Sequence, residues 1–247
     1  MISDYQDVDH VLEEWPYQPG VIGARLVRCK DGREVVQMRI EMGLLQMESS
    51  GRPDGDRPEG AETYLDHLIQ LAFNEGPAFE LNDDRCFEVD REFLQFYHRR
   101  ICFMALREFH RAVRDADHTL TLMDFVAEHT PDPEWTISHE QYRPFVLFHR
   151  TQAAALAELQ INGAEAAVEE CNQGLVLIRE VFESLGAEEQ FDEDELVAQL
   201  VEMKEALREE YKVGRTLGEQ LADAVAAEEY ERAAKLRDKI TQRGKHV

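Results

Sequence analysis

Basic residues are scarce in this chain: 27 lysines and arginines stand against 51 aspartates and glutamates, a formal net charge of −24 at pH 7. A surface this anionic repels phosphate backbones, which argues against tight duplex binding by the chain as a whole. Long apolar runs are missing as well. No stretch approaches the roughly 18 residues that a membrane-spanning helix needs. The opening residues Met1 to His10 are acidic and lack the apolar core of a secretory signal. The expectation is a soluble, cytoplasmic protein. Only four cysteines occur, Cys29, Cys86, Cys102 and Cys171, and none forms a CxxC pair. Their spacing is too wide for a zinc knuckle and fits free thiols in a reducing compartment.

Catalytic signatures are absent too. There is no Gly-x-Ser-x-Gly, and the glycine-rich stretch Glu48 to Gly60 has no GxxxxGK[ST] pattern for a phosphate cradle. His139-Glu140 begins an HExxH but does not complete it. Asp115, Asp117 and His118 place a carboxylate three residues before a histidine, as in di-iron bundles. The matching stretch Glu169 to Gln173 has no histidine, so solvated helix polarity is the simpler reading. No enzyme, metal or cofactor is expected.

What is present is β-structure followed by helices. Val21 to Cys29 and Glu34 to Met47 flank Asp31-Gly32, a hairpin signal. Ile22, Ala24 and Leu26 share a face on the first strand, as do Val36, Met38, Ile40 and Met42 on the second. Gly43 marks either a bulge or the start of a third short strand through Leu45 and Met47. From Glu62 a helical period takes over, with Tyr64, Leu65, Leu68, Ile69 and Ala72 on one stripe and Gly76-Pro77 as a stop. Asp90 suits the N-cap of the next helix, and a further helix runs from about Phe109 to His129, ended by Pro131 and Pro133. A second such pair covers about 145–160 and 164–185.

The two pairs resemble divergent tetratricopeptide repeats, an alternative to an unrelated helical bundle. His98-Arg99 aligns with His149-Arg150, and small residues recur at Ala112 and Ala116, then at Ala167 and Cys171. From Glu188 the chain turns acidic. Leu196, Leu200, Met203 and Leu207 there mark a narrow seam, as on a helix packed against one neighbour or in a short coiled coil. Lys212 to Gly218 is a candidate hinge.

Beyond it, Leu217, Leu221 and Ala224-Val225 make one short stripe, and Tyr230, Ala233-Ala234, Leu236 and Ile240 a second, with Ala227-Glu228-Glu229 between. Helices this short are marginal alone and must pair. Tyr230, Glu231, Ala233, Ala234, Arg237, Asp238 and Ile240, preceded by Leu221, Ala224 and Glu228, resemble the UVR motif. That motif occurs in the excision-repair proteins UvrB and UvrC, in McsA-type kinase activators and in some Clp ATPases. The resemblance implies an antiparallel helical hairpin that docks against a like hairpin in another protein or in a copy of itself. It does not extend to helicase or nuclease motifs, or to the zinc-binding cysteine pairs of McsA-type proteins. The candidate partner-binding residues are Leu221, Glu228, Tyr230, Glu231, Ala233, Ala234, Arg237, Asp238 and Ile240.

One local charge pattern runs the other way. Arg91, Arg99, Arg100, Arg107, Arg111 and Arg114 face only Glu92 and Glu108 over residues 91–114, interleaved with Phe96, Tyr97, Phe103 and Phe109. Such a stretch pairs inside the fold, with the acidic helix after Glu188 as an obvious counterpart, or meets an acidic ligand or nucleic acid. Arg99, Arg100, Arg107 and Arg111 are the candidate contacts. The expected architecture is mainly α. An N-terminal β-hairpin region (1–60) packs on a helical body (61–187, with tetratricopeptide-like hairpins about 90–130 and 145–185). An acidic connecting helix (188–211) leads to the hinge and UVR hairpin (212–247). The expected function is a non-enzymatic adaptor or regulatory subunit. The alternative is an excision-repair accessory factor contacting DNA through 91–114.

Overall fold

The computed structural model of the protein describes residues 7–129 and 132–243. Among these residues, ten α-helices and one three-stranded antiparallel sheet fall into two compact units, divided between Arg150 and Thr151. The mainly helical class expected from the sequence is the class observed.

The first unit opens with a short helix, α1 (Asp9–Glu14), where β-structure was expected. The Trp15 that follows is held on the sheet: its carbonyl accepts from Arg39 Nε at 2.7 Å, and its ring lies 4.4 Å from the Arg25 guanidinium. Strands β1 (Gly23–Arg28), β2 (Glu34–Ile40) and β3 (Gly43–Glu48) lie in sequence order. Gly32, at φ 88°, closes the first turn in a conformation that side chains resist. The expected hairpin is therefore a three-stranded sheet. Ile40 pairs with Gly43, so Glu41-Met42 forms a tight turn and Gly43 begins a strand rather than a bulge. Met42, placed by alternation on the apolar face, instead stands 92% exposed in that turn. Ala24 opposite Met38 and Leu26 opposite Val36 share the expected face, and β1 and β2 pack on α3 (Asp83–Ala105).

That helix begins before the Asp90 expected as its cap. Asn82 caps it by accepting from Arg85 N–H, and Leu81 and Val89 fill the core beside Tyr64, Leu65, Leu68, Leu122, Phe125 and Val126. Each such buried side chain contributes about 1.5–3 kcal/mol. The glycine-rich loop after β3 is fastened to α3 by two buried arginines. Arg99 donates to the Glu48 and Gly51 carbonyls, and Arg52 pairs with Glu88 at 2.6 Å. Helix α2 (Tyr64–Glu75) receives an unusual cap: fully buried Glu92 of α3 accepts the N–H groups of Tyr64 and Leu65. A carboxylate suits the positive end of a helix. Helix α4 (Phe109–Glu128) packs on α3, and its Ala112 and Ala116 are fully buried.

Helix α5 (Pro133–Glu140) has too little amphipathic pattern to stand out in the sequence, and Asp132 caps it. Pro131, expected as a helix stop, lies outside the described residues. His139 fixes α5 by bonding the Trp135 carbonyl and Asp90, each at 2.9 Å. Residues of α6 (Arg143–Ile161) up to Arg150 belong to the first unit and the rest to the second.

In the second unit α7 (Ala164–Ser184) pairs with the end of α6. Ala155, Ala167, Val168 and Cys171 share a core with Leu207 of α8 (Glu195–Tyr211). Gly174 lets the backbones close up, since a Cβ there would overlap the side chain of Thr151. The acidic stretch starts as a 3-10 turn, Glu188–Glu193, pinned by Phe191, whose ring meets Phe182 edge-on and lies under Arg179. Asp194 then caps α8 by accepting from Leu196 and Val197.

Candidate functional site

The chain leaves α8 through Lys212 in a left-handed turn and reaches Thr216, which is 1% exposed. Thr216 and Glu219 form a capping box: the threonine hydroxyl accepts from Glu219 N–H, and the Glu219 carboxylate accepts from Thr216 N–H. Two backbone donors left over by helix geometry are thereby satisfied. Helix α9 (Leu217–Ala226) follows, then a turn with Glu228 at φ 57°, in which Glu229 N–H donates back to the Ala224 carbonyl at 2.8 Å. Helix α10 (Tyr230–Arg243) returns along α9. The core of the pair is Ala224, Ala233 and Leu236, with Leu217 and Leu221 packed against it.

The base of this hairpin is fastened to the rest of its unit. Glu219 pairs with Arg208 of α8 and accepts from Asn172 of α7 at 3.1 Å. Burial pushes the Glu219 carboxyl up. The Thr216 N–H, Asn172 and Arg208 outweigh it and hold the group below the usual carboxylate range. Gly218 lies so close to Glu169 of α7 that a Cβ would overlap the carboxylate. Residues 212–216 are bonded as well, with Arg208 donating to the Gly214 carbonyl at 2.9 Å.

Residues 215–242 match the family model described as the UvrB/uvrC motif. The hairpin is a UVR motif. No curated protein and no solved structure matches the chain.

The structure divides the UVR candidate residues into two groups. Ala233 packs inside, and Leu221 lies beside it at the core. Glu228, Tyr230, Glu231, Ala234, Arg237 and Asp238 face solvent, Tyr230 at 69% exposure, and Ile240 is 37% exposed. Only one alanine of the pair mediates the close approach. Arg237 and Asp238 bond each other at 3.2 Å rather than across the hairpin. The residues that fasten the base (Thr216, Glu219, Asn172, Arg208) were not singled out in the sequence. Thr216-x-x-Glu219 carried a readable capping signal, whereas Asn172 and Arg208 become neighbours only through folding.

The arginine-rich candidates occupy a different setting. Arg99, 1% exposed, makes a two-pronged pair with Asp115 at 2.7 and 2.9 Å. Arg100, 2% exposed, donates to Thr119 at 3.1 Å and, weakly, to His149 Nδ1 at 3.4 Å. Arg111 pairs with Glu34 and Glu108, and Arg91 with Glu88 and Asp54. Arg107 is exposed at φ 61° in the turn between α3 and α4. The partners of Arg91, Arg99, Arg100 and Arg111 therefore come from the same unit. The three residues considered for a metal part company: Asp115 holds Arg99, Asp117 holds Arg150, and His118 meets Glu92 at 2.9 Å. Among the described residues no helix is long and apolar enough to cross a membrane.

Proposed function

We propose that the protein is a non-enzymatic adaptor or regulatory subunit that docks a partner protein through its UVR hairpin. UVR motifs mediate protein interactions and are found in nucleotide excision repair proteins. The observation that carries the reading is the sorting of motif residues: the few that build the hairpin core are buried, and the rest lie open to a partner. In this reading the two helical pairs of the body, which resemble tetratricopeptide repeats, hold a second partner. A fastened base supports the role, because a presented surface that is already ordered loses less entropy on binding.

The alternative, a repair factor touching DNA through residues 91–114, draws no support from the placement of Arg99 and Arg100. Side chains with 1–2% exposure cannot reach phosphates without unfolding their surroundings. The test is capture of native partners by the full chain, by a chain ending at Tyr211, and by Tyr230→Ala. Loss of the same protein in the shortened chain, and weakening in Tyr230→Ala, is the expected result. Identical recovery by all three sinks the proposal.

A further inference from the structure

The charges of the hairpin are sorted by helix. From Leu217 through Glu229 every charged residue is acidic: Glu219, Asp223, Glu228 and Glu229. From Tyr230 to Arg243 five residues are basic and two acidic, in a chain of net charge −24. The acids of α9 itself are engaged, Glu219 with Arg208 and Asn172, and Asp223 with Arg215. Arg237 of α10 pairs with its neighbour Asp238. At 3.6 residues per turn, Arg232, Lys235 and Lys239 fall on one row at i, i+3 and i+7. That row runs beside the Ala233 and Leu236 stripe packed on α9. Lys235 and Lys239 are exposed and enter no ion pair among the described residues, and Arg232 reaches only exposed Glu229. A shallow depression at the turn, lined by Glu228, Glu229, Tyr230, Glu231, Arg232 and Lys235, adjoins the start of the row and carries acids as well as bases.

We propose that this side of α10 seats an acidic amphipathic helix of a partner protein, with its acids along Arg232, Lys235 and Lys239. The inference rests on the docking role above and names the chemistry of what docks. The cationic row spans about 10 Å, and an amphipathic helix supplies acids at the same i, i+3/i+4, i+7 spacing with apolar residues alongside. A second copy of this chain fits less well. The α9 acids it would offer are already paired, and two chains of −24 repel. A nucleic-acid strand carries charge all along its length into that same repulsive field, whereas a helix can turn its acids to one side.

Fluorescence anisotropy on the full chain tests this with two labelled peptides of about 20 residues, long enough to populate helix. They share one leucine stripe, and the neighbouring row is glutamate in one and lysine in the other. A labelled single-stranded oligonucleotide is the third probe. The glutamate peptide is expected to bind at least about tenfold tighter than the lysine peptide. Lys235→Glu/Lys239→Glu, which alters only exposed side chains, is expected to invert that preference with an unchanged circular dichroism spectrum. No binding of either peptide, an unchanged preference in the charge-reversed chain, or tighter binding of the oligonucleotide overturns the proposal. Partner capture keeps the two readings apart. Loss on removing residues 212–247 with retention in the charge-reversed chain sinks this inference alone, and retention in both sinks the docking role itself.

Discussion

Glu92 and Asp115 carry the polar organisation of the first unit from positions with no solvent access. Glu92 caps α2 and meets His118, and Asp115 holds the guanidinium that fastens the glycine-rich loop. Removing one partner of a buried pair leaves the other charge uncompensated, at a cost of about 3–5 kcal/mol. Arg99→Ala should therefore lower the unfolding free energy by that order in urea titrations, with Arg99→Met/Asp115→Leu recovering most of it. An Arg99→Ala chain as stable as the parent would contradict the buried pair. His149 supplies the pH dependence. Burial first, and the Arg100 guanidinium second, push it down from 6.5 to about 4. The folded state thus resists a proton that the unfolded chain accepts, so the contribution is intact above pH 6.5 and is lost as pH falls from 6.5 towards 4. At about 1.4 kcal/mol per pH unit the loss approaches about 3 kcal/mol. His149→Gln keeps an acceptor for Arg100 without titrating. Its denaturation midpoint should vary less between pH 7 and 4.5, and an unaltered pH profile would exclude His149 as the source.

The elements differ in how openly the sequence announced them. Helices α4 and α7 have long amphipathic stripes, and their observed ends lie within a residue of those expected. Helices α1 and α5 are too short to show a period. The start of α3 was displaced because Asn82 competes with Asp90 as a cap, and burial of Val89 settles the choice. At the hairpin, the capping box and its neighbours make one joint. Thr216→Ala should cost about 1 kcal/mol, and adding Glu219→Gln should weaken the hold of Arg208 and Asn172 further. Hydrogen exchange is the measurement, with α9 and α10 amides exchanging faster while those of α3 and α4 keep their protection. Equal exchange in parent and variant would show that the base is not held by these groups.

At the scale of the molecule, net charge is the dominant property. A chain of −24 destabilises itself by repulsion, and the Debye length falls to about 10 Å at 0.1 M salt. The melting temperature should rise as salt increases from about 0.01 to 0.1 M, followed by calorimetry. A flat or falling trend would mean that paired arginines, not repulsion, dominate the electrostatics.

Residue order alone determined the mainly helical class, the burial of the small residues Ala112, Ala116, Ala167 and Cys171, and the identity of the C-terminal motif. Each depends on neighbours within a few helical turns, through period, cap or spacing. Tertiary structure decided the third strand, the burial of Arg99 and Arg100, the split of Ala233 from Ala234, and the fastening of the hairpin by Asn172 and Arg208. Those outcomes follow from which distant side chains meet. Arg99 finds Asp115 and the Glu48 carbonyl, and Glu219 finds α7 and α8, across separations that no local pattern records.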